Sequence, residues 1–153
     1  MLSCAGSAVS RASPQDAWAA WVNVARWTDG DVIDAAHLNG DFKEGSTFVS
    51  KPRGFPASTL TITRVDPPRL WVCESRVPGW RMTVEHLIER DASGSKLTER
   101  MSISGPLGRL IGRVVRRRLV ALLVAMTEQI ARQAEVGSAG SRQDSASMTQ
   151  SHS

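Results

Sequence analysis

The sequence predicts an α+β domain in which a curved antiparallel sheet wraps a long C-terminal helix, and three observations predict it. Leu107, Leu110, Ile111, Val114, Val115, Leu119, Leu122, Leu123, Met126 and Ile130 recur at threes and fours, an apolar stripe of more than six turns. Ahead of that stripe, alternating apolar and polar residues form a series of segments separated by short turn signals, the pattern of an antiparallel meander. Those segments have one apolar and one polar face, so a single side of the sheet is covered. The helical stripe is the partner large enough to cover it.

The elements follow in order. Ser13 suits an N-cap, Pro14 the first helical position and Asp16 the positive end of the dipole. Trp18, Trp21, Val22 and Ala25 then mark one face of a helix, and Arg26–Asp29 reads as a further short turn ended by Gly30. Strands are expected over Val32–Leu38, Thr47–Lys51, Ser58–Val65, Arg69–Val77, Trp80–Arg90 and Lys96–Ser104. They are punctuated by Asn39-Gly40, Pro52 to Gly54, Asp66-Pro67-Pro68, Pro78-Gly79 and Asp91 to Gly94. Trp80–Arg90 alternates most cleanly, with Trp80, Met82, Val84, His86 and Ile88 on one face and Leu87 out of place on the other. Gly105-Pro106 opens the last helix. Residues 1–135 make one domain, and 136–153, nearly free of large apolar side chains, are expected to form a disordered tail.

Composition excludes several classes. The chain has 153 residues, 41% apolar and 22% charged, enough for one buried core. Its net charge of +4 gathers largely at Arg109, Arg113, Arg116, Arg117 and Arg118. No nucleic-acid motif accompanies the cluster, so it reads as a solvated helix face and no nucleic-acid partner is expected. Placing those arginines and the run Leu119–Met126 on an anionic membrane competes with the sheet for the same stripe. Cys4 and Cys73 lack metal-type spacing, the three histidines are scattered, and neither a metal nor a cofactor is expected. The N-terminus lacks the basic and apolar stretches of a signal peptide, and no run approaches a membrane span. A cytoplasmic protein without stable membrane insertion is the expectation, its oligomeric state open.

Local wording adds a resemblance. Ser13-Pro14-Gln15-Asp16-Ala17-Trp18, Asn23-Val24-Ala25-Arg26-Trp27, the hairpin Phe42 to Phe48, the corner Val65-Asp66-Pro67-Pro68-Arg69 and the junction Ile103-Ser104-Gly105-Pro106-Leu107 stand in the order seen in the START-like or SRPBCC superfamily. This superfamily is often labelled polyketide cyclase/dehydrase, and the match covers about Ser13 to Glu135. The resemblance implies a helix-grip fold: six or seven strands, two short helices after the first strand, and a hydrophobic cavity between sheet and C-terminal helix. Its members include lipid and hormone binders, cyclases and protein partners, so the fold leaves function open. One stretch departs from the pattern. Met1 to Ala12 is mostly small residues of low β-propensity, so the first strand is expected to be short, frayed or missing.

Strand parity then gives the cavity candidates: Trp71 and Cys73, Trp80, Met82, Val84 and His86, and Met101 and Ile103, closed from the helix by Leu110 and Val114, with Leu122 and Met126 further along. His86, on an apolar inward face, and Glu99, of the same parity as Met101, are the candidates for acid–base chemistry. Each also fits a bland reading, a satisfied core histidine and a carboxylate at the open rim. Cys73 has no activating neighbour in the sequence. Binding of a hydrophobic small molecule (lipid, polyketide or aromatic) leads, followed by a cyclase/dehydrase-type enzyme and a protein-partner domain.

Overall fold

The computed structural model describes residues 1–150, with side chains through Ser138. Chain order is β1 (Leu2–Ser10), α1 (Pro14–Val22), a 3₁₀ helix (Val24–Asp29), β2 (Ile33–Leu38), β3 (Thr47–Pro52), β4 (Ser58–Asp66), β5 (Leu70–Val77), β6 (Trp80–Asp91), β7 (Gly94–Ser104) and α2 (Pro106–Gln150). The seven strands form one sheet in the order β1-β7-β6-β5-β4-β3-β2, antiparallel throughout. Its inner face curls around α2, and Thr59, Thr61, Thr63 and Arg100 stand exposed on the outer face. Leu87, out of step in the sequence, lies across from Leu70 on β5, and the two half-buried leucines cover each other on that outer side.

β1 is present and pairs with β7 from Leu2↔Ile103 to Ser10↔Ser95, which corrects the expectation of a frayed or missing first strand. Its small residues have a tertiary reason. A Cβ on Gly6 would stand 2.5 Å from the Val124 nitrogen and 2.6 Å from the Leu123 carbonyl carbon. The backbone of α2 therefore lies directly on β1, and bulk there would push the helix off. Ser10 closes the far end by donating its hydroxyl to the Ala131 carbonyl at 2.9 Å.

α1 starts as the sequence requires, the Ser13 side chain accepting from the Asp16 amide and Pro14 standing in the first turn. The 3₁₀ helix is fixed to α2 from both sides. Gln129 Nε2 donates to the Trp27 carbonyl at 2.9 Å, and Gln133 Nε2 donates to that of Arg26 at 2.9 Å.

Two features of α2 differ from the sequence reading. The first two turns bury Gly108 and Gly112, whose missing side chains let the helix settle on Ile103 and Trp80 and on Leu2, respectively. Leu107, Leu110, Ile111 and Val114 consequently face solvent, and the buried stripe reaches its full width only from Leu119 through Leu123, Met126, Ile130 and Ala134. At the other end, the helical backbone continues to Gln150 through most of the segment expected as a tail. No proline follows Pro106 to interrupt the ladder. Residues 151–153 of that segment lie outside the described residues. Among the described residues no helix is long and apolar enough to cross a membrane.

Candidate functional site

The register of three strands sets one row of side chains under α2. Trp71 on β5 pairs with His86 on β6, and His86 pairs with Glu99 on β7. Gly6 on β1 continues the row beside Glu99. All share the inner face because the side-chain period is two on every strand.

His86 is 4% exposed and held on three sides. Its ring stacks on Trp71 with centroids 3.5 Å apart and planes 1° from parallel, and Trp21 of α1 meets it edge-on at 5.2 Å. Nδ1 lies 3.2 Å from the Trp71 carbonyl. A carbonyl only accepts, so Nδ1 carries a hydrogen and Nε2 is the ring's exchangeable position. Nε2 faces Glu99 Oε1 at 3.6 Å, while Oε2 of the same carboxyl is buried with no hydrogen-bond partner. A carboxyl and an imidazole facing each other inside a low-dielectric wall form a pair through which a proton can pass.

The neighbouring Cys73 is buried, and burial, followed by the repulsion of the Glu99 carboxylate, pushes its thiol well above the ordinary range. It is a neutral apolar wall group, not a nucleophile. The Cys4 thiol is likewise raised by burial, with Arg116 opposing. Among the described residues no cluster of three His, Cys, Asp or Glu side chains could hold a metal ion.

The cavity between this row and α2 measures about 90 Å³. Cys73, Met82, Val84, His86, Glu99 and Met101 line it from the sheet side, joined by Phe48 and Leu60 of β3 and β4. Leu122, Leu123 and Met126 form the helix wall, and Trp21 and Trp27 close the end. The remaining residues expected there stand elsewhere. Trp71 is fully buried behind His86, Ile103 is buried under Gly108, and Trp80 packs against the same glycine. Leu110 and Val114 do not close the cavity at all; they are 64% and 80% exposed, because Gly108 and Gly112 take the inward side of their turns.

Trp21, Trp27, Phe48 and Leu60 escaped the sequence reading. Phe48 and Leu60 were reachable through strand parity, since they are direct cross-strand partners. The tryptophans carry no such signal, because the placement of α1 and the 3₁₀ helix over the open end of the sheet is a tertiary fact. The mouth is bordered by the β3–β4 turn. Pro52 and Ser58 at its base line the cavity, and Arg118 of α2 donates to the Gly54 carbonyl at 2.8 Å while its guanidinium lies over Phe55.

This arrangement, a sheet gripping a C-terminal helix with a cavity between, is a helix-grip fold. No family model matches the chain, and no curated protein matches its sequence. Solved structures do match. Norcoclaurine synthase from Thalictrum flavum is similar with a TM-score of 0.66 at 12% identity, over 85% of this chain and 90% of that one. Ara h 8.0201 gives 0.58 at 12% identity, over 84% and 97%. The di-domain ARO/CYC StfQ of the steffimycin biosynthetic pathway gives 0.66 at 13% identity, over 90% of this chain and 52% of that larger one.

Proposed function

We propose that the protein binds a small apolar molecule of aromatic dimensions in the cavity beneath α2. The observation that carries this is the cavity itself, about 90 Å³ with aromatic, thioether and aliphatic walls and the His86–Glu99 pair on one side. Its size discriminates among ligands. Sites for drug-sized molecules run to roughly 300 Å³ and above, and an apolar cavity of about 150 Å³ accepts benzene. Of the lipid, polyketide and aromatic classes, a single ring fits with least adjustment, and a lipid or fused-ring polyketide requires α2 to move outward. The likeness to norcoclaurine synthase and an ARO/CYC protein supports an aromatic type of ligand.

The test is thermal unfolding against a graded series from benzene derivatives through naphthols to sterols. A ligand at about 100 times its Kd stabilises by about 2.7 kcal/mol, a Tm rise of roughly 5–11 °C for a chain of this size. Met82 is half-buried at the wall, so Met82→Trp fills the space and removes the shift while leaving the fold. No shift across the whole series refutes the reading.

A second reading has its own observation, the Nε2–Oε1 approach of 3.6 Å at the cavity surface. In a cyclase/dehydrase-type enzyme the pair would take a proton from the carbon beside a bound ligand's carbonyl. Uptake of solvent deuterium at that carbon, abolished in His86→Ala while ligand binding survives, is the expected result; unchanged uptake removes His86 from the role.

A further inference from the structure

The first turns of α2 present a face that the core does not use. Leu107, Leu110, Ile111 and Val114 are 52%, 64%, 44% and 80% exposed, and Val77, the last residue of β5 before the adjoining β5–β6 turn, is 42% exposed. Leu107 lies against Gly79 of that turn, so helix and turn make one convex apolar corner. At 3.6 residues per turn, Leu107 and Ile111 form one row, Leu110 and Val114 the next, and Arg109, Arg113 and Arg117 a third beside it. All three of those arginines are exposed. From Pro106 to Thr127 the sequence has five arginines and no acidic residue. Arg118, further along the Leu107–Ile111 side of the helix, is tied instead to Gly54 and Phe55 beside the cavity mouth.

We propose that this face docks the protein on an anionic lipid bilayer, with the leucine, isoleucine and valine rows inserted at the headgroup boundary and the arginine row on the phosphates. A convex helix with two apolar rows and a basic row along one edge has the form of an interfacial helix. The charge complementarity is to an anionic surface. A second copy of this chain fits poorly, because it would bring the same arginines to the contact with no acidic side chain from Pro106 to Thr127 to meet them. Docking leaves the sheet–helix contact intact, since the buried side of these turns is Gly108 and Gly112. It places the membrane on the same helix whose Arg118 holds the turn at the mouth, a route by which an apolar ligand could reach the cavity from lipid. The docking itself stands independently of the cavity's ligand.

The experiment is co-sedimentation of the full chain with vesicles of phosphatidylcholine alone and with about one-third phosphatidylserine. The protein is expected to sediment with the anionic vesicles only, and to be released as salt rises from about 0.1 to about 0.5 M. Arg109→Gln with Arg113→Gln should weaken partitioning roughly 30-fold. Leu110→Asp with Val114→Asp should abolish it with an unchanged circular dichroism spectrum and Tm, because both side chains already stand in solvent. Equal sedimentation with neutral vesicles, no sedimentation with either, or binding that survives the aspartate variant would overturn the proposal. So would a lipid-free, concentration-dependent dimer that Val114→Asp dissolves, since the face would then serve self-association.

Discussion

Replacing Gly6 by alanine tests the geometry on which the cavity depends. The backbone of Gly6 has no positive φ, so alanine can adopt it without strain. On conformational entropy alone Gly6→Ala should stabilise the protein by about 0.4–1 kcal/mol. The tertiary term opposes this. The new Cβ would lie 2.5 Å from Val124 N and 2.6 Å from Leu123 C, nearly 1 Å inside the 3.4 Å at which ordinary contact begins, and both atoms are helix backbone. Relief requires moving α2 off β1, a change of the overpacking kind that costs about 1–3 kcal/mol. The net is a destabilisation of about 1–2 kcal/mol, a Tm lower by roughly 2–8 °C. The same displacement lifts Leu122 and Met126 from the cavity, so Gly6→Ala should also admit larger ligands than the parent protein. Thermal unfolding followed by circular dichroism reads the first effect, with Ser3→Ala on the exposed side of β1 as a control expected within about 0.5 kcal/mol. The sign decides the matter: an unchanged or higher Tm for Gly6→Ala would refute the direct seating of α2 on β1.

Other predictions follow from the site. His86→Ala removes the stack on Trp71 and the edge contact with Trp21, and should cost about 3 kcal/mol in chemical denaturation; His86→Phe should recover most of that, and failure to do so would show that the ring contacts are not what His86 supplies. Cys73 titrates higher in the folded chain than its ordinary 9.0. The unfolded chain therefore loses this proton first, so stability is full below about pH 9 and falls as pH rises from there toward the folded pKa. Denaturation curves from neutral to alkaline pH should accordingly be flatter for Cys73→Ala, and identical slopes would contradict the burial of the thiol. Arg118→Ala loses a bond and a cation–π contact on exposed groups, so stability should change by less than about 1 kcal/mol, while ligand release measured by stopped-flow displacement should quicken as the β3–β4 turn is freed.

The sequence read the strands well because each signal is local. Trp80 to Ile88 alternates, the turns carry glycine and proline, and the observed ends lie within about two residues of those expected. β1 was misread for the opposite reason. Ser3, Ala5, Gly6, Ser7 and Ala8 have poor strand propensity, and they form a strand because β7 supplies the hydrogen bonds and α2 demands small side chains. His86 and Glu99 could each be placed on an inward face, yet only the register of β6 with β7 brings them 3.6 Å apart.

The helical stripe shows most clearly where local pattern ends. Periodicity determined by itself that residues from Pro106 form a helix, since spacing at threes and fours needs no partner to be recognised. It could not say which side of that helix is buried. Leucine and valine bury the most apolar area, which favours Leu110 and Val114 for the core, but backbone approach at Gly108 and Gly112 fixed the opposite side. Thus the sequence determined the elements, their order and the apolar inner face. Tertiary structure decided the pairing of His86 with Glu99, the tryptophans that close the cavity, and the two turns of helix left facing solvent. Those depend on distances between elements, and no single segment encodes such a distance.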